Sequence, residues 1–181
     1  MGIAVGIIEL RSMARSFLVA DSCLKTAPVD LQIRITCPGK SLLMMSGEIS
    51  AVQSAVELGN AKGDESVVNS LVLGNLHKDV IPALAGVSAY EDQESLGVIE
   101  TFSVSGAIKA ADTAAKSAQI QLLDIRPAQG LGGKGLVLIA GNVGAVEAAI
   151  EASKEYLSEI GDLVDAVVIP APHRDLWAQI S

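Results

Sequence analysis

The sequence predicts an α+β protein of two tandem units, each with the order βαββαβ. Three observations predict it: a long internal repeat, an apolar stripe at helical period in each copy, and strand-like pairs joined by Gly-containing loops. Gly6, Ile8, Glu9, Ala20, Asp21, Lys25 and Ala27 recur 91 positions later as Gly97, Ile99, Glu100, Ala111, Asp112, Lys116 and Ala118. The match resumes three residues out of step, where Gly39, Lys40 and Gly47 correspond to Gly133, Lys134 and Gly141. His77 in NLHKDV has a counterpart in His173 of APHRDL. A fixed-period repeat identifies one supersecondary unit used twice.

Each copy opens on a β-rich run, Ile3–Leu10 or Leu96–Thr101. A helix follows. Met13, Phe17, Ala20, Leu24 and Ala27 form one apolar stripe, and Val104, Ile108, Ala111, Ala115 and Ala118 form its equal; this spacing fits a helix with one face buried. Two strands come next, Leu31–Thr36 with Ser41–Ser46 and Leu122–Arg126 with Gly135–Ala140. A second helix (Ser50–Asn60; Gly144–Leu157) and a final extended piece (Ser70–Leu73; Ala166–Ile169) complete the unit. Two helices over one face of an antiparallel sheet describe a ferredoxin-like α+β sandwich. The polar segment SAYEDQES (Ser88–Ser95) is the joint, so residues 1–90 and 95–181 are the two expected domains.

Composition narrows the function. Half of the 181 residues are apolar, but only 3% are aromatic and 17 are glycine, so the core is expected to be Val, Ile, Leu and Ala with close backbone contacts. A net charge of -8 argues against a nucleic-acid partner, since little would neutralise phosphates. There is no apolar run of about 18 residues to span a membrane. The N-terminus MGIAVGIIELRS lacks the pattern of a signal peptide. Two cysteines in a chain of cytosolic character are expected to be reduced.

The motifs LGVIET, ADTAAKSA, GLGGKG, GNVGAVEAAIEA and VIPAPH, echoed in the first copy by VGIIEL, ADSCLKTA, SGEISAVQSAVE and NLHKDV, closely resemble the shell proteins of bacterial microcompartments. The resemblance covers nearly the whole chain. It implies a homotrimer, because tandem shell proteins form flat pseudohexameric trimers that mimic the hexagonal tiles of the shell; the repeat alone does not supply the number three. Other shell proteins are then the expected partners, and the microcompartment shell in the cytoplasm the expected location. The order of both copies looks unpermuted. The loop ITCPGK is similar to that of the PduT-like subclass, whose members carry an iron–sulfur cluster at the trimer centre. One departure is Ala171, which stands where the edge motif usually has arginine, and this implies a weaker tile–tile contact.

Two cysteines separate clearly. Cys23 lies inside the first helix, with Ala114 as counterpart, and reads as a small buried hydrophobe. Cys37 lies between a strand and Pro38-Gly39 and has no counterpart thiol in GLGGK. In a threefold ring one cysteine becomes three. A [4Fe–4S] cube has a threefold diagonal, so three thiolates can hold three irons and leave the fourth to another ligand; four-cysteine ligation is the norm. The resemblance thus implies one [4Fe–4S] cluster per trimer on Cys37, with Thr36, Pro38 and Gly39 shaping the pore and Gly130, Leu131 and Gly132 beside them. Neither loop is a phosphate cradle: Lys134 is followed by Gly135, and Arg34 stands where the other loop would need glycine.

Lys25 and Lys116 follow Asp21 and Asp112 at i+4, which alone describes a helix-surface pair of about 0.2–0.5 kcal/mol; the resemblance puts both lysines at the tile edge. His77 and His173 are the only histidines, lack clustered partners, and read as edge or packing residues. Glu9 and Glu100 end strands with no catalytic constellation nearby, and are expected to cap or anchor the following helix. The expected function is a non-enzymatic tile passing electrons, or delivering a cluster, to a redox enzyme inside the compartment or in the cytosol. Two alternatives are a tile with a metabolite-conducting pore and no cluster, and a trimeric ferredoxin-like sensor or enzyme that binds ligand between subunits.

Overall fold

A computed structural model describes residues 4–36, 39–87, 94–128 and 130–180. The chain divides into two compact units, Met1–Leu76 with Ala128–Gly133, and His77–Pro127 with Lys134–Ser181. The first holds β1 (Ala4–Leu10), α1 (Met13–Thr26), β2 (Asp30–Thr36), β3 (Lys40–Gly47), α2 (Ile49–Gly63), a 3₁₀ turn (Asp64–Ser66) and β4 (Val67–Leu73). The second holds α3 (Val80–Leu84), β5 (Ser95–Thr101), α4 (Val104–Ser117), β6 (Gln121–Pro127), β7 (Gly135–Gly141), α5 (Val143–Glu159), β8 (Leu163–Pro170) and α6 (Arg174–Ile180). Each unit thus has the expected βαββαβ series, and α3 and α6 are the helices not foreseen. The joint at 88–93 lies outside the described residues. Residues 77–87 belong to the first copy by sequence, yet pack within the second unit.

Both sheets are antiparallel, in the orders β2-β3-β1-β4 and β6-β7-β5-β8. The first strand of each copy is central and contacts the helices through a glycine. A Cβ at Gly6 would lie 2.7 Å from both Val52 Cγ1 and Val56 Cγ2, and one at Gly97 would lie 2.8 Å from Val146 Cγ1. Glycine therefore lets α2 and α5 sit directly on the sheets. In the first unit Ala4, Ile8, Leu10, Leu43 and Met45 meet Val19, Ala20, Cys23, Val52, Ala55 and Val56. In the second, Trp177 of α6 packs with Leu96, Leu123, Leu138 and Ala140. Those residues alternate with Gly97 and Ile139, which face α5, so this sheet is covered on both faces.

Helix starts follow capping chemistry. Ser12, Ser103 and Asn142 accept from the backbone N–H of Arg15, Gly106 and Ala145 at 3.3, 3.0 and 2.9 Å. The stripe expected on α1 is only partly buried. Its buried line is Ser16, Val19, Ala20 and Cys23, one step round from the stripe, so Phe17 and Leu24 stand exposed. On α4 the counterpart Ile108 is fully buried. The three extra residues of the second copy also find their places. One is a bulge between Leu122 and Asp124, after which Ile33 matches Ile125 and Arg34 matches Arg126 in register with β3 and β7. The other two lengthen the loop before Lys134.

Candidate functional site

The ladder of β2 and β3 ends at the pair Thr36↔Lys40, so residues 37–39 connect the strands. Cys37 and Pro38, the centre of the expected site, lie outside the described residues. Their described neighbours are informative. Thr36 is buried, and its hydroxyl Oγ1 has no hydrogen-bond partner among the described residues. Gly39 has φ +71 with nothing within 4 Å of where a Cβ would be, which suits the left-handed position of a three-residue hairpin loop. Lys40 Nζ reaches back 3.3 Å to Oε1 of Glu9, which is fully buried.

The second copy repeats this lysine–glutamate tie: Lys134 Nζ lies 2.9 Å from Glu100 Oε1. Its loop is longer and curls tightly, with Leu131 N–H donating to Ala128 O at 3.2 Å. Ala128, Gly130, Gly132 and Gly133 all have positive φ, and Gly130 and Gly132 are exposed with open space around them. Leu131 is half-buried. Each glutamate thus holds the lysine that closes a strand–strand loop, a tie additional to the helix-anchoring task expected from the sequence. Sequence reasoning missed the pairing although Glu9/Lys40 and Glu100/Lys134 sit at matched positions.

Cys23 is buried, and its thiol donates to Ala55 O at 3.2 Å. Burial pushes its pKa above the ordinary value, so the neutral, unreactive thiol dominates. That agrees with the core role expected for it.

The repeated Asp-x-x-x-Lys helices differ between copies. Lys25 meets Asp21 at 2.7 Å in an exposed pair. Lys116 meets Asp112 at the same 2.7 Å, but this aspartate is buried, with Lys109 at 4.0 Å and the His77 backbone N–H donating to Oδ1 at 2.8 Å. Each histidine accepts from the N–H two residues on: Asp79 to His77 Nδ1 at 3.4 Å, and Asp175 to His173 Nδ1 at 3.2 Å. Ala171, in place of the expected arginine, has φ +47 and donates its N–H to Glu94 O at 2.9 Å. Among the described residues no group of three or more His, Cys, Asp or Glu is placed to hold a metal ion, and no helix is long and apolar enough to cross a membrane.

Two copies of one sheet-and-helix unit, with matched Glu–Lys ties under their loops, define a tandem-domain architecture. The chain matches the BMC domain over residues 4–76 and again over 95–172. It belongs to the BMC-domain family, the shell proteins of bacterial microcompartments, which is a family of structural proteins and not of enzymes. It is 40% identical over 181 residues to the shell protein PduT of Citrobacter freundii, covering 99% of this chain and 98% of that one. To the shell protein PduA of the same organism it is 40% identical over 86 residues, 46% of this chain and 88% of that one. A microcompartment protein from Desulfitobacterium hafniense has the same fold throughout, with a TM-score of 0.87 at 41% identity over 98% of this chain and 99% of that one.

Proposed function

We propose that the chain is a non-catalytic, homotrimeric, pseudohexagonal tile that holds one [4Fe–4S] cluster at its central pore through Cys37 of each of three subunits. The observation that carries this reading is the asymmetry of the two loops. Only the first copy has a thiol, and it is bracketed by Thr36, with a buried hydroxyl lacking a partner among the described residues, and by the open turn at Gly39. A buried hydroxyl is normally satisfied, so a spare donor beside a thiol suits a sulfur-rich acceptor. The residues present therefore fit such a group.

In this reading a bound cluster supplies one-electron chemistry, or is itself handed to a redox enzyme inside the compartment or in the cytosol. The chain's own residues do the holding. Cys37 supplies thiolate, Thr36 a hydrogen-bond donor, and Gly39 the left-handed turn that a side chain would strain. Lys40 and Glu9 tie down the end of the loop. Gly130, Leu131 and Gly132 border the pore, Lys25, Lys116, His77 and His173 lie toward tile edges, and other shell proteins are the neighbours there.

Anaerobic reconstitution with iron and sulfide tests the reading. Wild type and Cys23→Ala should turn brown with a charge-transfer absorbance, while Cys37→Ser should stay colourless. Colour retained in Cys37→Ser removes the ligand assignment, and colourless wild type supports a tile with an open pore.

A further inference from the structure

Helices α1 and α4 begin at matched residues, Ser12 and Ser103, within the same frame. Each hydroxyl accepts the backbone N–H three residues on, from Arg15 at 3.3 Å and from Gly106 at 3.0 Å. The residue before each cap donates its N–H to the turn that follows the second helix, Arg11 to Ser66 O at 2.8 Å and Phe102 to Asp162 O at 3.0 Å. The frames agree, but the charges placed on them do not.

In the second copy the Asp162 carboxylate covers the start of α4. The residue is 7% exposed, and its Oδ2 accepts from Ser103 Oγ at 2.6 Å. It lies so close to α4 that a Cβ at Gly106 would fall 1.7 Å from Oδ2. Phe102, Gly106 and Tyr156 around it are uncharged, and burial and then the Asp162 charge raise the Tyr156 pKa. Lys109 Nζ stands over the Tyr156 ring, 5.4 Å from its centre.

In the first copy Ser66 takes the place of Asp162, and Leu18 that of Lys109. Arg11, Arg15 and Lys62 stand where the second copy has Phe102, Gly106 and Tyr156. All three cations are exposed, and none forms an ion pair among the described residues. The same holds for Asp64 and Glu65 on the adjoining 3₁₀ turn. Ser103 donates to a carboxylate, whereas the Ser12 hydroxyl has no acceptor for its proton among the described residues. Positive side chains at a helix N-terminus oppose the helix dipole, while an anion there is favoured. The first copy thus keeps the donors, adds three cations, and has no carboxylate of its own at this position.

We infer that the start of α1 binds an oxyanion of the carboxylate or phosphate class. The Ser12 hydroxyl and the free N–H groups of the first turn hold it, and Arg11, Arg15 and Lys62 supply the charge. The bound group does for α1 what Asp162 does for α4. A free small anion and an acidic side chain of a partner present the same chemistry. None of these residues belongs to the Cys37 loop, so the inference does not depend on the cluster.

Backbone amide shifts of residues 13–16 in the full chain, titrated with phosphate at constant ionic strength against chloride, test it. Wild type should show saturable shifts there and none at residues 104–107. Arg11→Ala/Arg15→Ala should need at least about tenfold more phosphate, the size expected for charge-assisted hydrogen bonds. Ser66→Asp, which supplies a carboxylate within the chain, should abolish the response and raise the melting temperature in chloride. Acetate and a hexaglutamate peptide then separate the sources. Peptide binding at least about tenfold tighter than acetate identifies a partner's acidic segment, and equal binding per carboxylate identifies a free anion. No saturable shift in wild type, an unchanged titration in Arg11→Ala/Arg15→Ala, or a response that survives Ser66→Asp overturns the site.

Discussion

Replacing Asp112 by alanine should loosen the His77–Leu84 segment and lower the stability of the second unit. The carboxylate is 1% exposed and makes two close contacts, the His77 N–H at 2.8 Å and Lys116 Nζ at 2.7 Å. A hydrogen bond to a charged group contributes about 1.5–3 kcal/mol. The lysine is partly solvated, so its pairing is discounted to about 0.2–1 kcal/mol. After truncation the half-exposed His77 main chain can rehydrate, which removes any further penalty for an orphaned donor. The expected loss is about 2–3 kcal/mol, or a fall in melting temperature of about 4–12 °C for a chain of this size. Asp112→Asn keeps an acceptor for the N–H and should cost only about 1 kcal/mol. Thermal unfolding followed by circular dichroism, with hydrogen exchange at residues 77–87, measures both. A loss under about 0.5 kcal/mol in Asp112→Ala, or equal losses in the two variants, would refute the assignment of the main contribution to the His77 contact.

Three further outcomes follow from the same geometry. Lys40→Met removes one partner of the buried Glu9 carboxylate and should cost about 1–3 kcal/mol, while Glu9→Gln/Lys40→Met should cost less than the sum of its singles; a double-mutant cycle in urea reads the coupling. Gly59→Ala should destabilise by about 1–3 kcal/mol, because its Cβ would fall 2.3 Å from Ile8 Cδ1 and 3.1 Å from Cys23 Sγ; a wild-type denaturation midpoint would contradict this. Burial raises the pKa of Cys23 and of Tyr156, the latter helped by the nearby Asp162 carboxylate. Both groups ionise more readily unfolded, so stability should hold below their ordinary values of 9.0 and 10.0 and fall as pH rises beyond them. The decline should be shallower in Cys23→Ala, as a pH series of melting temperatures would show.

Much of the fold was legible because a duplicated unit states its pattern twice. The strand Gly-x-Ile-Glu, its helix and the two loops were readable from the repeat alone, and the observed strands and helices fall where it put them. What failed were inferences that depend on what covers a surface. Phe17 and Leu24 satisfy the helical period as well as Ile108 does, yet only Ile108 is covered, and periodicity cannot distinguish a face turned to the core from one without a cover. The short helices α3 and α6 escaped notice because five and seven residues carry too little period to register. The Glu9–Lys40 tie spans 31 residues and depends on strand register. A spacing of that length carries no local signal, although the same pair in the second copy offered one.

Cys37 remains the place where the chain departs from its own repeat. Native mass spectrometry of anaerobically reconstituted protein tests its role most directly. Three chains with a single four-iron, four-sulfide cluster are expected for wild type, and a cluster-free trimer for Cys37→Ser. A cluster bound by one chain alone, or a trimer of Cys37→Ser that still carries it, would contradict the proposal.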